Sequence, residues 1–320
     1  MGALRKLTAP IVVLVALLGV GAYWIWIREP NLGPPGSNPS VVAAPAPSTD
    51  GLRLPKKLGS VRFAVIGDMG RGDQAQMDTA NQMARWREMF DYDFVLMLGD
   101  NLYSNGSGTP EEYDNRFEKP YKALLDQGVK FYAAVGNHDP ANLFSYEPFH
   151  MDGNRYYTFE KDNVRFFALD TVTVDSTQLS WIREQLAKSG ADWKIAFYHH
   201  PIYTSGRYGF TASRLRRVLE PVFVQGGLDV GLNGHDHIYE RIIPEHGVQY
   251  FTSGSGGALR KGDLNASAIT AAGFDQDTHF LLMEISGDTL YFQAISRIGD
   301  TVDSGQFDRV AHDVPPSSRK

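Results

Sequence analysis

Val61-Arg62-Phe63-Ala64-Val65-Ile66-Gly67-Asp68-Met69-Gly70 is the stretch on which the fold turns. An apolar, β-rich run stops abruptly at a glycine and an aspartate. A helical pattern follows over Gln74–Phe90, and a second such run, Phe94–Leu98, stops in Gly99-Asp100-Asn101-Leu102-Tyr103. Further strand-like runs lie at Val129–Val135, Arg165–Leu169, Lys194–Tyr198, Val230–Leu232, Val248–Thr252, His279–Ile285 and Thr289–Ile295, with helical patterns at Pro110–Gln127, Thr177–Lys188 and Ser213–Gln225. Strands alternating with helices predict a layered α/β body. The later strands lack intervening helices, which predicts a second, partly antiparallel sheet. The expected fold is therefore α/β: a two-sheet β-sandwich flanked by helices.

Composition narrows the chemistry. The 320 residues include 31 Lys+Arg, 37 Asp+Glu and no cysteine. Disulfide frameworks, thiol nucleophiles and cysteine-ligated metals are excluded. A mildly acidic chain without a basic block predicts no nucleic-acid-binding patch. Any bound metal must use oxygen and imidazole donors.

The amino end has a different texture. Arg5 and Lys6 precede an uncharged apolar run from Pro10 to Ile27, with Tyr23, Trp24 and Trp26 at its far end. Such a run lies at the lower edge of what spans ~30 Å of hydrocarbon, and amphipathic aromatics favour the membrane interface. Bulky Trp26, Ile27 and Arg28 stand where a cleavage site would need small residues. Residues 1–28 are therefore expected to be an uncleaved signal-anchor, with a cleaved signal peptide as the alternative. The body would then lie outside the cytoplasm, anchored to the membrane, or secreted or periplasmic after cleavage. Residues 29–57, rich in Pro, Ser and Ala, read as a tether. The globular domain is expected over 58–305, with a polar tail at 306–320.

The informative polar residues stand where apolar strands stop. Five runs end in Asp68; in Asp100; in Asn137, His138 and Asp139; in His199 and His200; and in His235 and His237. Singly, each reads as a turn or a cap. Together they place Asp, Asn and His along the carboxyl edge of a sheet, where α/β folds build ligand sites. That donor set suits Fe, Mn or Zn, and its size suits two ions sharing a carboxylate.

The ordered motifs G-D-M-G, G-D-N-L-Y, G-N-H-D, H-H-P and G-H-D-H-I-Y-E-R resemble those of the calcineurin-like metallophosphoesterases, and more closely the short, single-domain purple acid phosphatases. The superfamily's usual D-x-H histidine is replaced here by Gly70, and Tyr103 stands where purple acid phosphatases place a tyrosinate ligand. The resemblance implies a four-layer α/β/β/α fold. It implies Fe(III) held by Asp68, Tyr103 and His237, and a second divalent metal (Fe, Zn or Mn) held by Asn137, His199 and His235, with Asp100 bridging. It also implies a catalytic group of His138, Asp139 and Asn137, in which His138 assists the leaving group and Asp139 orients it. His200 would fill a variable position, and the glycine turn Ser253–Gly257 would lie near the site. Loop Ser205–Gly209 is a candidate substrate contact, although the family often carries histidine where Tyr208 stands. The implied activity is hydrolysis of phosphate monoesters by metal-activated hydroxide, on a small phosphate ester or a phosphoprotein. A phosphodiesterase or nucleotide-cleaving relative and a non-catalytic phosphate-binding module remain alternatives. Oligomeric state is left open.

Overall fold

The computed structural model describes residues 51–104, 106 and 108–310. The expected membrane segment and most of the expected tether lie outside the described residues. Among the described residues, no helix is long and apolar enough to cross a membrane.

In chain order the strands are β1 (Val61–Ile66), β2 (Phe94–Met97), β3 (Lys130–Ala133), β4 (Tyr157–Lys161), β5 (Val164–Ala168), β6 (Trp193–Tyr198), β7 (Val230–Asn233), β8 (Tyr239–Ile242), β9 (Gln249–Ser253), β10 (Thr270–Phe274), β11 (His279–Ser286), β12 (Thr289–Ser296) and β13 (Thr301–Asp308). The first sheet has the order β13-β12-β11-β1-β2-β3 and the second β10-β8-β9-β7-β6-β5-β4. Strands β1, β2 and β3 run parallel, as do β5, β6, β7 and β9. Their carboxyl ends therefore line up, which is what a strand-end site requires.

Alternation along each strand explains the layering. Phe63 and Val65 of β1 face the second sheet and share a core with Phe166, Ile195, Phe197, Val230 and Leu232. Phe63 meets Phe166 edge-on, with ring centroids 5.3 Å apart. Ala64 and Ile66 face the other way, onto helix α1 (Gln74–Phe90), through Met83 and Phe90. Two short helices, α2 (Pro110–Tyr113) and α3 (Lys119–Leu125), complete that outer layer. Helices α4 (Ser176–Lys188) and α5 (Gly209–Gly226) cover the outer face of the second sheet through Ile182, Leu186, Val222 and Phe223. The four-layer α/β/β/α expectation holds.

Three details differ from the sequence expectation. The later strands do not form one sheet: β8 to β10 join the second, whereas β11 to β13 return to the first, where β11 pairs antiparallel with β1. The helix expected over Pro110–Gln127 is interrupted by a π-turn at Asp114–Glu118. Pro120 has no N–H to give the carbonyl of Arg116, and Gln76 Nε2 takes that acceptor instead at 2.6 Å. Strands β4, β8, β10 and β13 went unforeseen; β8 and β13 carry charged residues whose partners are remote in sequence, such as Arg241 with Asp303 at 2.8 Å.

The domain edges also shift. Residues 51–57, expected in the tether, lie on the first sheet: Leu54 is buried and Lys56 N–H donates to buried Glu284 at 2.8 Å. At the other end β13 runs through Asp308, into the stretch expected to be tail.

Candidate metal centre

Each of the expected metal-binding residues reaches one edge of the sandwich. Asp68 follows β1, Asp100 and Tyr103 follow β2, and Asn137 follows β3. From the second sheet, His199 follows β6, while His235 and His237 follow β7. Asp68, Asp100 and His235 all adopt left-handed backbone, with φ of 54°, 50° and 70°. Non-glycine residues seldom do this, so the turns themselves hold strain at the point where the side chains converge. The glycines of the motifs make room: a Cβ on Gly136 would lie 1.9 Å from Asp100 N, and one on Gly234 would lie 2.4 Å from Asp68 Oδ2.

Two sets of donor atoms form. In the first, Tyr103 Oη lies 3.1 Å from His237 Nε2 and 3.3 Å from Asp68 Oδ1, and His237 Nε2 lies 3.3 Å from Asp68 Oδ1. In the second, His199 Nε2 lies 3.0 Å from Asn137 Oδ1, 3.1 Å from His235 Nδ1 and 3.3 Å from Asp100 Oδ1. Asp100 also groups with Asp68 and His237, which puts it between the sets. Donors sharing an ion at about 2.1 Å stand about 3.0–3.4 Å from one another. Both sets have that spacing.

The electrostatics fit cations as well. Burial, and then the charge of Asp100, raise the Asp68 carboxyl well above the usual range; burial also raises Asp100. Burial lowers the imidazoles: His199 well below its ordinary value, His235 to about 2, where neighbouring His199 and His200 add to the effect, and His237 to about 4, with Arg260 contributing. The histidines thus present lone pairs, not protons, and the carboxylates lack a positive partner. His199 Nδ1 is 2.9 Å from Leu98 O, a contact that needs its proton on Nδ1 and leaves Nε2 free. Tyr103 is pushed up by burial and by the charge of Asp68, so its phenolate form requires a strong cation beside it. Oxygen and imidazole donors with no thiolate suit Fe, Mn or Zn.

The sequence of the Calcineurin-like phosphoesterase family matches residues 61–239. Over 252 residues the chain is 31% identical to purple acid phosphatase 17 of Arabidopsis thaliana, covering 67% of this chain and 73% of that one. The chain belongs to the purple acid phosphatase branch of the calcineurin-like phosphoesterases. Human tartrate-resistant acid phosphatase type 5 is 28% identical, over 62% of this chain and 73% of its own. The fold matches that of the purple acid phosphatase PPD1 from yellow lupin seeds with a TM-score of 0.65 at 20% identity, covering 83% of this chain and 56% of that one. It also matches GAP50, the anchor in the inner membrane complex of Plasmodium, with a TM-score of 0.68 at 20% identity over 80% and 90% of the two chains.

The remaining expected residues separate. His138 is exposed, and its ring lies 4.9 Å from that of Tyr103. Its backbone N–H donates to Asp100 Oδ1 at 2.9 Å. Asp139 does not orient it. The Asp139 carboxylate instead accepts from Gly136 N, Leu102 N and Asn101 Nδ2, each at 2.8 Å, and so ties the second and third strand-end loops together. Its three donors were invisible in the sequence because two are backbone groups. Asp170 caps its own turn through Val172 N and Thr173 N. The glycine turn Ser253–Gly257 lies beside Asp68, whose carbonyl accepts from Gly257 N and Ala258 N.

Sequence reasoning missed Arg71 and Arg260, and gave His200 only a variable position and Tyr208 only a place in a candidate substrate loop. His200 joins His199 and His235 in one cluster, and only the H-H doublet hinted at it. Arg71 and Arg260 line a cavity of about 490 Å³ with Tyr103, His138 and His237. Arginine one residue past a G-D-M-G or three past a glycine turn carries no signal of its own. Tyr208 packs on His235 with ring centroids 4.1 Å apart and accepts from Arg260 at 3.0 Å.

Proposed function

We propose that this protein is a dinuclear-metal acid phosphatase hydrolysing phosphate monoesters, with Fe(III) on the Tyr103 side and a divalent Fe, Zn or Mn on the His199 side. One observation carries the reading: two donor sets of metal-like spacing meet at Asp100, and one of them includes the Tyr103 phenol. A phenolate is a hard anionic donor, which favours a trivalent ion. Asp68, Tyr103 and His237 would hold the first ion; Asn137, His199 and His235 the second; Asp100 both. When bound, such a pair supplies Lewis acidity and a nucleophile available below neutral pH.

The chain's own groups do the rest. His199 is locked with Nε2 unprotonated by Leu98 O. Asp139 fixes the loops that carry Asp100 and Asn137. His138 stands exposed at the cavity, where a ring nitrogen can hold a proton for the departing alkoxide. Arg71 and Arg260 give that cavity a positive wall that attracts anionic esters. For location, the apolar run Pro10–Ile27 supports anchoring outside the cytoplasm.

The test is metal analysis, an absorption spectrum and phenyl phosphate hydrolysis by the full-length chain recovered from membranes. Two metals including iron, a broad visible band and turnover on the monoester are expected. Tyr103→Phe should lose the band, and its persistence would sink the tyrosinate assignment. A fully metallated protein that leaves phenyl phosphate intact would overturn the phosphatase reading. Recovery only in the soluble fraction would overturn the anchor.

A further inference from the structure

The His199 side of the metal centre opens into a groove of about 450 Å³ between the amino-terminal halves of α4 and α5. His200 stands at the junction. It groups with His199 and His235, its ring 4.2 Å from that of His235, and it also lines the groove. Its N–H donates to Thr171 Oγ1 at 2.8 Å, which ties it to the loop after β5 that forms part of the same wall. The rest of the lining is mainly aliphatic: Val172, Val174, Leu179, Leu215 and Val218. Val174, Leu179 and Leu215 rest on the core beneath α4 and α5, so the floor is packed. Val172 and Val218 are 41% and 42% exposed, and Phe210, one turn before Arg214 of the groove, is 79% exposed. Large apolar side chains gathered in water around one cavity mark a binding surface.

This step rests on the proposed phosphatase site. An ester bound there sends its leaving group past one of two walls. The cavity on the Tyr103 side carries Arg71 and Arg260. An alkyl chain laid over those guanidiniums would strip water from charge and give nothing in return. The groove on the His199 side offers apolar contact instead, and each methylene fully buried strengthens binding about fourfold. Among the described residues no phenylalanine, tyrosine or tryptophan lines it, so it has no large ring face for stacking. Aliphatic walls of this kind suit a flexible chain rather than a flat ring.

We propose that this groove is the leaving-group subsite for an amphiphilic phosphate monoester, a phosphoryl head on a single alkyl chain, so that the site favours long-chain alkyl phosphates over short ones. Hydrolysis breaks the bond between phosphorus and the ester oxygen. Water supplies the new P–O bond, and the chain leaves as an alcohol whose oxygen takes up a proton. Val172 and Val218 touch the chain, and exposed Thr211 lines its path.

The experiment compares kcat/KM for ethyl phosphate and hexyl phosphate, both short enough to stay monomeric in water, in the full chain, in Val172→Ser/Val218→Ser and in Thr211→Trp. The wild type should favour hexyl phosphate about tenfold, mostly through KM, because an open groove buries the added methylenes only in part. The double variant should keep its turnover on ethyl phosphate and lose most of that preference. Thr211→Trp, which puts bulk into the groove, should abolish it. All three positions are exposed, so these changes spare the core. Equal kcat/KM for the two esters in the wild type, or a hexyl preference that survives both variants, would overturn the subsite. If the wild type leaves both esters intact, the phosphatase reading fails, and calorimetry decides the groove separately. Hexylphosphonate should bind the wild-type chain about tenfold more tightly than ethylphosphonate, an advantage both variants lose. No such advantage in the wild type would overturn it.

Discussion

The two sheets bring unlike chemistry to one edge. The first supplies oxygen: Asp68, Asp100, Tyr103 and Asn137. The second supplies nitrogen: His199, His200, His235 and His237. Burial acts on both halves and moves them in opposite directions, raising the carboxyls and lowering the imidazoles. The oxygen half lacks a positive charge, and the imidazole half is too dry to take up the proton that would provide one. A cation shared between the sheets relieves both at once. The sandwich therefore does more than display ligands: by drawing donors of each kind from a separate sheet, it makes metal binding a link between the two layers.

Asp100 is where the comparison is most easily broken. It belongs to the oxygen sheet, yet its Oδ1 lies 3.3 Å from His199 Nε2. Asp100→Asn keeps the shape and removes the charge that both halves use. Turnover on phenyl phosphate should fall about 10⁴-fold, roughly 5 kcal/mol, with loss of both metals on analysis. Loss of one metal alone would show that the halves are filled independently.

A smaller effect separates the halves by their protons. In the metal-free protein His235 and His237 stay neutral when folded down to about pH 2 and 4, whereas an unfolded histidine protonates near 6.5. Below 6.5 the unfolded chain binds more protons, so the imidazoles cost stability as pH falls. That amounts to about 2 kcal/mol each at pH 5. The raised carboxyls slope the other way and mask this in the wild type. The stability difference between wild type and His235→Asn/His237→Asn should therefore change by about 4 kcal/mol between pH 7.5 and pH 5 in denaturant titrations without metal. An unchanged difference would mean that the imidazole half is not proton-excluded.

The same contrast marks what could be read from the sequence. Polar residues stand at the ends of apolar runs, where a strand signal and a motif coincide, so the meeting of Asp68, Asp100, Tyr103, Asn137, His199, His235 and His237 at one edge was legible. Helix α1 was legible to the residue, since Asp73 caps it and Asp91 closes it in left-handed backbone. Contacts between remote segments were not. Glu284 gives no sign that it will hold Lys56 N–H, nor Gln76 that it will serve the carbonyl freed by Pro120. Asp139 was given to its neighbour His138 by the family resemblance, whereas its carboxylate serves Leu102 and Asn101, more than thirty residues away. Arg260 was missed for a related reason: its meaning depends on Tyr208, which precedes it by a whole helix and three strands.

His138 sharpens the comparison last and by the smallest margin. It follows a strand of the oxygen sheet, but its side chain belongs to neither donor set; only its backbone N–H engages Asp100. His138→Ala leaves that N–H in place, so both metals should remain. What disappears is the ring nitrogen at the cavity mouth, and turnover on an alkyl phosphate should drop about 10²-fold, near 2.7 kcal/mol. p-Nitrophenolate leaves without a proton, so with p-nitrophenyl phosphate the loss should be much smaller. Equal losses on the two esters would point instead to a role in holding the phosphoryl group. Loss of a metal would return His138 to the donor set, and the division of labour between the sheets would have to be redrawn.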